Sequence, residues 1–347
     1  MSPARILVAE AAGYAPAARE ILEGLGPVVL ADLDRAGLLA ALDGVQVLIV
    51  RLRNRIDEEV LAAAPALRVV VTATTGLDHI DLEAAARRGV TVLSLRGETD
   101  FLETVTATAE HTWGLLLALV RHIPRAAAAA AAGVWERDRF RGRELRGRRL
   151  GIVGLGRLGR MVARYGAAFA MDVAAHDPFA GAWLEGVARC DTLAELLDRS
   201  DVLSLHVPLD ERTRGLIGAA ELGRLPAGAL LVNTSRGGVV DEAALLDALR
   251  SGRLAGAALD VVQGETVAGA VAGSLLVRYA RENDNLLLTP HIGGATLESM
   301  QNTEIFMAGK LARFLRGEPV RTDAPRSRDA SVRASGSAPP STSAPRP

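Results

Sequence analysis

The chain has little of what disulfides, zinc clusters or membrane spans require. Its 347 residues include one cysteine, Cys190, so an intramolecular disulfide and a cysteine-based zinc cluster are excluded, and no metal site is predicted. The amino-terminal segment MSPARILVAEAAGYAP contains only a short apolar run, which is insufficient for a secretory signal. The longest apolar stretch, residues 113–120, falls short of the ~18 residues that suggest a membrane span. We therefore expect a cytoplasmic protein without a membrane partner.

An excess of charge of either sign is also missing. Lys plus Arg number 40 and Asp plus Glu number 41, which leaves a net charge of -1. A surface built for nucleic acid would be basic, so no nucleic-acid partner is predicted, although a local basic patch stays open. Only Lys310 among the basic residues is a lysine. Together with the abundant alanine and glycine, we interpret this as compositional bias and not as function.

Short apolar runs alternate with helical patterns in two successive parts of the chain. Strands are predicted in the first part at residues 6–9, 45–50, 67–71 and 90–93, and in the second at 150–153, 172–175, 202–205, 229–232, 256–259 and 285–288. Strands without polar alternation, separated by helices, indicate parallel sheets covered on both faces. The pattern therefore predicts an α/β protein with two such units.

Three further segments complete this organisation. A helical stretch over residues 104–122 is long enough to cross between the units or to line an interface. Residues 295–316 are helical again and are expected to pack back on the first unit. Residues 321–347 are rich in Pro, Ser, Ala and Arg, with almost no apolar bulk, which predicts a disordered tail.

A glycine loop opens the second unit. The stretch LGIVGLGRLG at residues 150–159 has the GxGxxG pattern directly after a predicted strand and before a helical pattern. Gly154 permits the tight turn, Gly156 lets the backbone approach a pyrophosphate, and Gly159 allows close packing of helix on strand. Asp177 ends the next strand, where its carboxylate would accept hydrogen bonds from ribose hydroxyls and repel the 2′-phosphate of NADP. NAD is therefore the predicted cofactor; the alternative is a tight turn without a cofactor.

The sequence resembles the D-isomer-specific 2-hydroxyacid dehydrogenases. Four stretches in order carry the resemblance: GIVGLGRLGR, HVPLDERTRGLIG, VNTSRGGVVDEAALLDALRSGRLAGAALDV and TPHIGGAT. The resemblance implies two doubly wound domains, a flavodoxin-like substrate domain interrupted by an inserted Rossmann NAD domain. The expected division is residues 1–100 and 293–320 for the substrate domain, 101–292 for the NAD domain and 321–347 for the tail.

The resemblance also implies a catalytic Arg, Glu and His at Arg236, Glu265 and His291. Histidine titrates near neutral pH and can accept and return the hydroxyl proton. A neighbouring carboxylate stabilises the imidazolium, and arginine can bind the substrate carboxylate. Thr266 stands where the family has proline after the glutamate, so the sequence departs from the family pattern next to Glu265. Glu282, in a helical stretch nearer to His291, is the weaker alternative.

Further positions follow from the same motifs. The implied cofactor-lining residues, besides Gly154, Gly156, Gly159 and Asp177, are Arg157, Leu158, His206, Val207, Pro208, Thr213, Thr234, Asp260, His291 and Gly293. The stretch Thr75-Gly76-Leu77-Asp78 resembles the loop whose backbone N–H groups hold the substrate carboxylate, with Thr75, Gly76 and Leu77 as the implied substrate-binding residues. Arg51 is hypothesised to contact a carboxylate or phosphate; the alternative is a solvated basic rim that it forms with Arg53 and Arg55.

The implied function is NAD-dependent hydride transfer to or from a small D-2-hydroxy acid. The stretch over residues 74–135 most resembles the phosphoglycerate dehydrogenase-like branch, so 3-phosphoglycerate is the first expectation. Reduction of glyoxylate, hydroxypyruvate or a phosphonate analogue is the alternative. An NAD-sensing corepressor-like binding protein is an alternative of another class. A homodimer is implied, with no C-terminal regulatory domain expected.

Overall fold

The first unit is a five-stranded parallel sheet. The computed structural model describes residues 3–265, 267 and 269–324, so Thr266 and most of the predicted tail lie outside the described residues. The strands are β1 Ile6–Val8, β2 Val28–Leu30, β3 Val47–Val50, β4 Val69–Thr72 and β5 Thr91–Leu93. Their order, β2-β1-β3-β4-β5, is the flavodoxin-like order. Strand β2 was not predicted, because this short edge strand is only partly buried and its sequence stands out little.

Short helices cover both faces of this sheet. They are α1 Pro16–Glu23, α2 Arg35–Ala41, α3 Glu58–Ala63 and α4 Leu82–Arg87, followed by α5 Thr99–Glu103. Asp34, Asp57 and Asp81 cap α2, α3 and α4 by accepting hydrogen bonds from backbone N–H groups of the first turn. Neighbouring strand residues Leu48 and Ile49 are buried in different cores, one on each face of the sheet.

The second unit is a seven-stranded parallel sheet. Its strands are β6 Arg149–Val153, β7 Asp172–His176, β8 Ala188–Arg189, β9 Val202–Leu205, β10 Ala229–Asn233, β11 Leu254–Leu259 and β12 Leu286–Leu288. The order is β12-β11-β10-β9-β6-β7-β8, so the strand order reverses between β6 and β9. The prediction of an α/β protein with two doubly wound parallel sheets is confirmed. The exposed strand β8 was missed because it has only two residues and no apolar run.

The helices of the second half connect and cover this sheet. They are α6 Ala107–Val120, α7 Ile123–Ala131, α8 Arg157–Ala168, α9 Leu193–Asp198, α10 Ala219–Arg224, α11 Glu242–Arg250, α12 Leu275–Glu282 and α13 Leu297–Leu315, with short 3-10 turns at Arg137–Phe140 and Gly237–Val239. Helix α6 packs on α8 and on β10, β11 and β12, whereas α13 packs on α1, β4 and β5. The last helix therefore returns the chain to the first sheet.

Membrane-spanning character was tested on the described residues. No single helix there is both long and apolar enough to cross a bilayer. One bent combination, Thr99–Val120 with Ile123–Ala131, passes on length and composition taken together.

Candidate active site

A cleft of about 430 Å³ lies where the carboxyl ends of the two sheets face each other. Arg51 and Ala73, which follow β3 and β4, line it from the five-stranded sheet. Thr234, Asp260 and His291, which follow β10, β11 and β12, line it from the other. Ligands of open α/β sheets bind at this end of the strands, so the cleft is the natural place for chemistry.

A histidine–carboxylate pair stands on one wall. The Nδ1 atom of His291 lies 2.6 Å from Oε1 of Glu265. The other carboxylate oxygen of Glu265 accepts a hydrogen bond from the backbone N–H of Val262. His291 has a φ of 55°, and its backbone N–H donates to the carbonyl of Asp260 at 2.8 Å. With Nδ1 held by Glu265, Nε2 is the ring nitrogen left for a substrate. Glu282 ends α12, and the carboxylate that pairs with His291 is that of Glu265.

Arg236 reaches from the seven-stranded sheet to the loop after β4. Its Nε donates to the carboxylate of Asp78, and its Nη1 donates to the carbonyl of Ser235 at 2.7 Å. A Cβ atom on Gly76 would lie 1.4 Å from Nη2 of Arg236, so the guanidinium rests directly on this glycine. Thr75 and Gly76 line the cleft, whereas the side chain of Leu77 is buried in the core below. The arrangement places a cation over a glycine of the cleft wall, which suits a carboxylate ligand.

Asp260 organises the loop that carries the histidine. Its carboxylate accepts hydrogen bonds from the backbone N–H groups of Ile292 at 2.9 Å and Gly293 at 2.7 Å, and from the hydroxyl of Thr289 at 2.6 Å. The Nε2 atom of His111 lies 3.2 Å from the same carboxylate. Asp260 is 2% exposed. These bonds fix the loop and thereby the position of His291.

The glycine loop has the geometry of a dinucleotide site. Gly154 has a φ of 90°, and a Cβ on Gly159 would lie 2.1 Å from the carbonyl oxygen of Gly154. Gly156 starts α8, and nothing lies within 4 Å of its would-be Cβ, which leaves room for a pyrophosphate. The carboxylate of Asp177 accepts from the backbone N–H groups of Leu155 and Phe179, both at 2.8 Å. It is thus held beside the loop, where ribose hydroxyls of NAD would fit and a 2′-phosphate would not.

The other predicted cofactor residues surround this loop. Arg157 donates to the carbonyls of Leu102 and Val105, and burial lowers the pKa of its guanidinium. Arg157, Leu158 and His206 line an adjoining cavity, and Val207 packs over Gly154. Thr213 donates to the carbonyl of Pro208 at 2.6 Å and so closes its own turn. The hydroxyl of Thr234 lies 2.8 Å from that of Thr112. Burial lowers the pKa of His206 to about 4, so its ring is neutral.

The structure also places residues at the site that sequence reasoning missed. Asp78 pairs with Arg236, and Glu304 of α13 pairs with Arg51. Asp78 lies within the stretch TTGLDHID, but its partner is 158 residues away, so no local pattern indicates the pair. His79 follows it, and burial lowers its pKa to about 4. Among the described residues, no group of His, Cys, Asp or Glu could hold a metal ion.

Comparisons with known proteins agree with this geometry. A sequence model described as D-isomer specific 2-hydroxyacid dehydrogenase, NAD binding domain, matches residues 113–293. The chain is 37% identical to a D-3-phosphoglycerate dehydrogenase of Archaeoglobus fulgidus, over 91% of this chain and 58% of that protein. It is 35% identical to a hydroxypyruvate reductase of Thermotoga maritima, over 82% of this chain and 89% of that protein. The chain thus spans little more than half the length of the phosphoglycerate dehydrogenases it matches.

Solved structures have the same architecture. The TT0316 protein of Thermus thermophilus superposes with a TM-score of 0.77 at 35% identity, over 90% of this chain and 97% of that one. A D-lactate dehydrogenase of Aquifex aeolicus, complexed with NAD and lactic acid, superposes with a TM-score of 0.77 at 28% identity, over 90% and 96%.

Proposed function

Because the chain belongs to the D-isomer-specific 2-hydroxyacid dehydrogenase family, we propose that it is an NAD-dependent oxidoreductase acting on a short D-2-hydroxy acid or its 2-oxo acid. The observation that carries the proposal is the pairing of Glu265 at 2.6 Å with His291, which lines the cleft together with Arg236; the three residues also line an adjoining cavity. A proton donor or acceptor, its carboxylate partner and a carboxylate-binding cation then surround one substrate.

Each residue has a distinct role in the reduction direction. Arg236, with the backbone N–H groups of Gly76 and Leu77, binds the substrate carboxylate and turns the 2-oxo group toward His291. Nε2 of His291 donates a proton to the carbonyl oxygen, while Glu265 stabilises the imidazolium and fixes its orientation. NADH, when bound, supplies the hydride to the same carbon. In oxidation, His291 accepts the proton from the hydroxyl.

The cofactor would lie along the seven-stranded sheet. The N–H groups at the start of α8, around Gly156, would hold the pyrophosphate, with the Arg157 guanidinium close by. Asp177 would bind the ribose of the adenosine half. Thr234, Asp260 and Gly293 line the cleft beyond, where the nicotinamide would face the substrate.

Two domains and a dimer belong to the same proposal. Residues 1–100 and 293–320 would form the substrate domain and 101–292 the NAD domain, which the packing of α13 on α1 supports. Helix α7 has no buried residue, and the nearby Trp135 is 89% exposed. An apolar surface of this kind supports a homodimer through this face; the molar mass in solution tests it.

The substrate has two leading candidates. The D-3-phosphoglycerate dehydrogenases among the relatives support a 3-phosphoglycerate-like acid. The hydroxypyruvate reductase of Thermotoga maritima supports an unphosphorylated acid, and this chain covers 89% of that protein. Both share the 2-oxo acid group that the Arg236 and His291 arrangement would bind.

The test is NADH oxidation by purified protein with phosphohydroxypyruvate, hydroxypyruvate, glyoxylate and pyruvate. We expect turnover that prefers NADH over NADPH. In His291→Ala we expect the Kd for NADH to be unchanged and kcat to fall by about 10²–10⁴-fold, since one general acid–base group is lost. NADH binding without turnover on any 2-oxo acid would overturn the proposal and favour an NAD-sensing binding protein. Full activity of His291→Ala would overturn the role of His291 as the proton donor and acceptor.

A further inference from the structure

A buried ion pair forms part of the wall of the cleft on the side of the five-stranded sheet. The Nε atom of Arg51 donates to Oε1 of Glu304 at 3.0 Å, and Nη2 donates to the same oxygen. Both residues line the cleft. They are 253 residues apart in sequence and meet because α13 packs on the first sheet.

The hydrogen bonds of this pair are taken up by the protein itself. Nη1 of Arg51 donates to the carbonyl of Ala12 at 2.8 Å. The second oxygen of Glu304 accepts from the backbone N–H of Ala15 at 2.7 Å, at the start of α1. The side chain of Glu304 is 3% exposed, and that of Arg51 is 22% exposed. All three guanidinium nitrogens of Arg51 therefore donate to protein oxygens, whereas Arg236 donates to Asp78 and Ser235 through Nε and Nη1.

The neighbouring charges on this wall are compensated as well. The carboxylate of Glu10 is 4% exposed and accepts from the backbone N–H groups of Arg53 and Asn54. The guanidinium of Arg53 has Nη1 3.7 Å from the carboxylate of Asp32. Tyr14 packs beside Arg51, and burial raises the pKa of its hydroxyl, which stays neutral. The guanidinium of Arg51 thus faces Glu304 and that of Arg53 faces Asp32, while Glu10 adds a further carboxylate to the same wall.

A phosphate ester would meet this wall unfavourably. It carries about -1.5 to -2 charges at pH 7 and needs a free cation to replace its water. If Arg51 turned to the phosphate, Glu304 would be left as an unpaired buried carboxylate, which is a costly arrangement. A hydroxyl or hydrogen in the same place needs no such exchange.

We propose that Glu304 is a specificity-determining residue: by neutralising Arg51 it selects 2-oxo acids whose third carbon is absent or carries an uncharged group, as in glyoxylate and hydroxypyruvate. The proposal rests on the proposed dehydrogenase function and narrows its substrate class. Arg236 supplies the cation for the carboxylate that all candidate substrates share, and the Arg51–Glu304 pair acts on the part in which they differ.

The experiment compares kcat/KM for hydroxypyruvate and for phosphohydroxypyruvate with NADH. In the wild-type protein we expect hydroxypyruvate to be preferred by at least about tenfold. Glu304→Gln keeps the size of the side chain and removes its charge, so the positive charge of Arg51 is left without a compensating carboxylate. We expect the ratio of the two kcat/KM values to shift toward phosphohydroxypyruvate by about tenfold. The Kd for NADH should not change.

Glu98→Gln is the matched control. Glu98 pairs with Lys310 of the same helix α13 at 2.6 Å but does not line the cleft. The same substitution there should leave the substrate ratio at its wild-type value.

The possible outcomes distinguish a failure of this proposal from a failure of the proposed dehydrogenase function. No turnover on any 2-oxo acid would overturn the dehydrogenase function, and this inference with it. Turnover that favours phosphohydroxypyruvate in the wild-type protein would overturn only the inference. If the folded Glu304→Gln variant has the wild-type ratio of kcat/KM values, Glu304 does not determine substrate specificity. The wild-type ratio needs no variant, so the proposal stays testable if Glu304→Gln fails to fold.

Discussion

The carboxylates on the two sides of the cleft are held in place by different kinds of hydrogen-bond donor. On the nucleotide side, Asp177 and Asp260 are bound mainly by backbone N–H groups of their own or neighbouring loops. On the substrate side, Asp78 and Glu304 are bound by the guanidinium groups of Arg236 and Arg51, which lie far away in sequence. Backbone bonds build a loop that keeps its form without a ligand. Side-chain ion pairs can be broken singly, so charge changes there should alter substrate choice before they alter the fold.

Two glycines make the comparison testable, because each is crowded by a different kind of atom. Gly76 on the substrate side is covered by the flexible end of Arg236. Gly159 on the nucleotide side is covered by the backbone of Gly154. A side chain can move out of the way, but a backbone in a tight turn can do so only by distorting the loop.

The largest effect is expected for Gly76→Ala. The new Cβ would displace the Arg236 guanidinium while the backbone keeps its conformation. We expect kcat/KM to fall by about 10²-fold, the cost of misplacing a substrate-orienting group by roughly 1 Å, with Tm unchanged. Steady-state kinetics and thermal unfolding check this. Gly223→Ala, at an exposed glycine of α10 with nothing within 4 Å, is the control; it should keep the wild-type kcat/KM, and its Tm should not fall, since alanine favours a helix. A fall in Tm that accompanies the loss of activity in Gly76→Ala would contradict the expectation that only the Arg236 side chain moves.

A stability effect is expected for Gly159→Ala. The added methyl would meet the carbonyl oxygen of Gly154 at 2.1 Å. Overpacking against a fixed backbone costs roughly 1–3 kcal/mol, so the free energy of unfolding should fall by that amount. Denaturant unfolding without cofactor measures it. A variant as stable as the wild type would show that the glycine loop yields as easily as the Arg236 side chain, and the contrast between the two sides would disappear.

The smallest effect concerns pH, and here the two sides should behave alike. His79 on the substrate side and His206 on the nucleotide side both have a pKa lowered to about 4, in each case mainly by burial. The unfolded chain, with a histidine pKa of about 6.5, then binds more protons than the folded one between these values. Stability is therefore complete above about pH 6.5 and is lost as the pH falls toward 4. Each histidine should account for less than about 1 kcal/mol between pH 7 and pH 6.

Urea unfolding at the two pH values measures this loss. His79→Asn and His206→Asn should each make the free energy of unfolding less sensitive to pH. A pH dependence equal to that of the wild type in both variants would show that neither histidine is held neutral by the fold.

Much of the fold could be predicted because it is written in short segments. The run VQVLIV predicts β3, and its residues are buried on alternating faces because the sheet is covered on both sides. The glycine loop and Asp177 were also predictable, since both follow strands at a fixed spacing. The exposed edge strands β2 and β8 were not, because little apolar surface has to be buried there.

The candidate site divides in the same way. Arg236 and His291 each stand in a recognisable motif, Glu265 follows the LDV stretch at the spacing of the family, and all three line one cavity in the structure. The hypothesis of an Arg51 contact to substrate came from the end of a strand, where nothing local reveals Glu304. His111, beside Asp260, lies in a helix that reads only as apolar packing.

The sequence by itself determined the two parallel sheets, the glycine loop and the residue types on which the proposed hydride transfer depends. Periodicity, turn chemistry and motif spacing are local properties, and the backbone obeys them wherever the segment lies. Only the tertiary structure decided which charges meet: Arg236 with Asp78 and Arg51 with Glu304. Coulombic pairing depends on distance in space and on burial, and both arise only when α13 packs on the first sheet and the two units face each other.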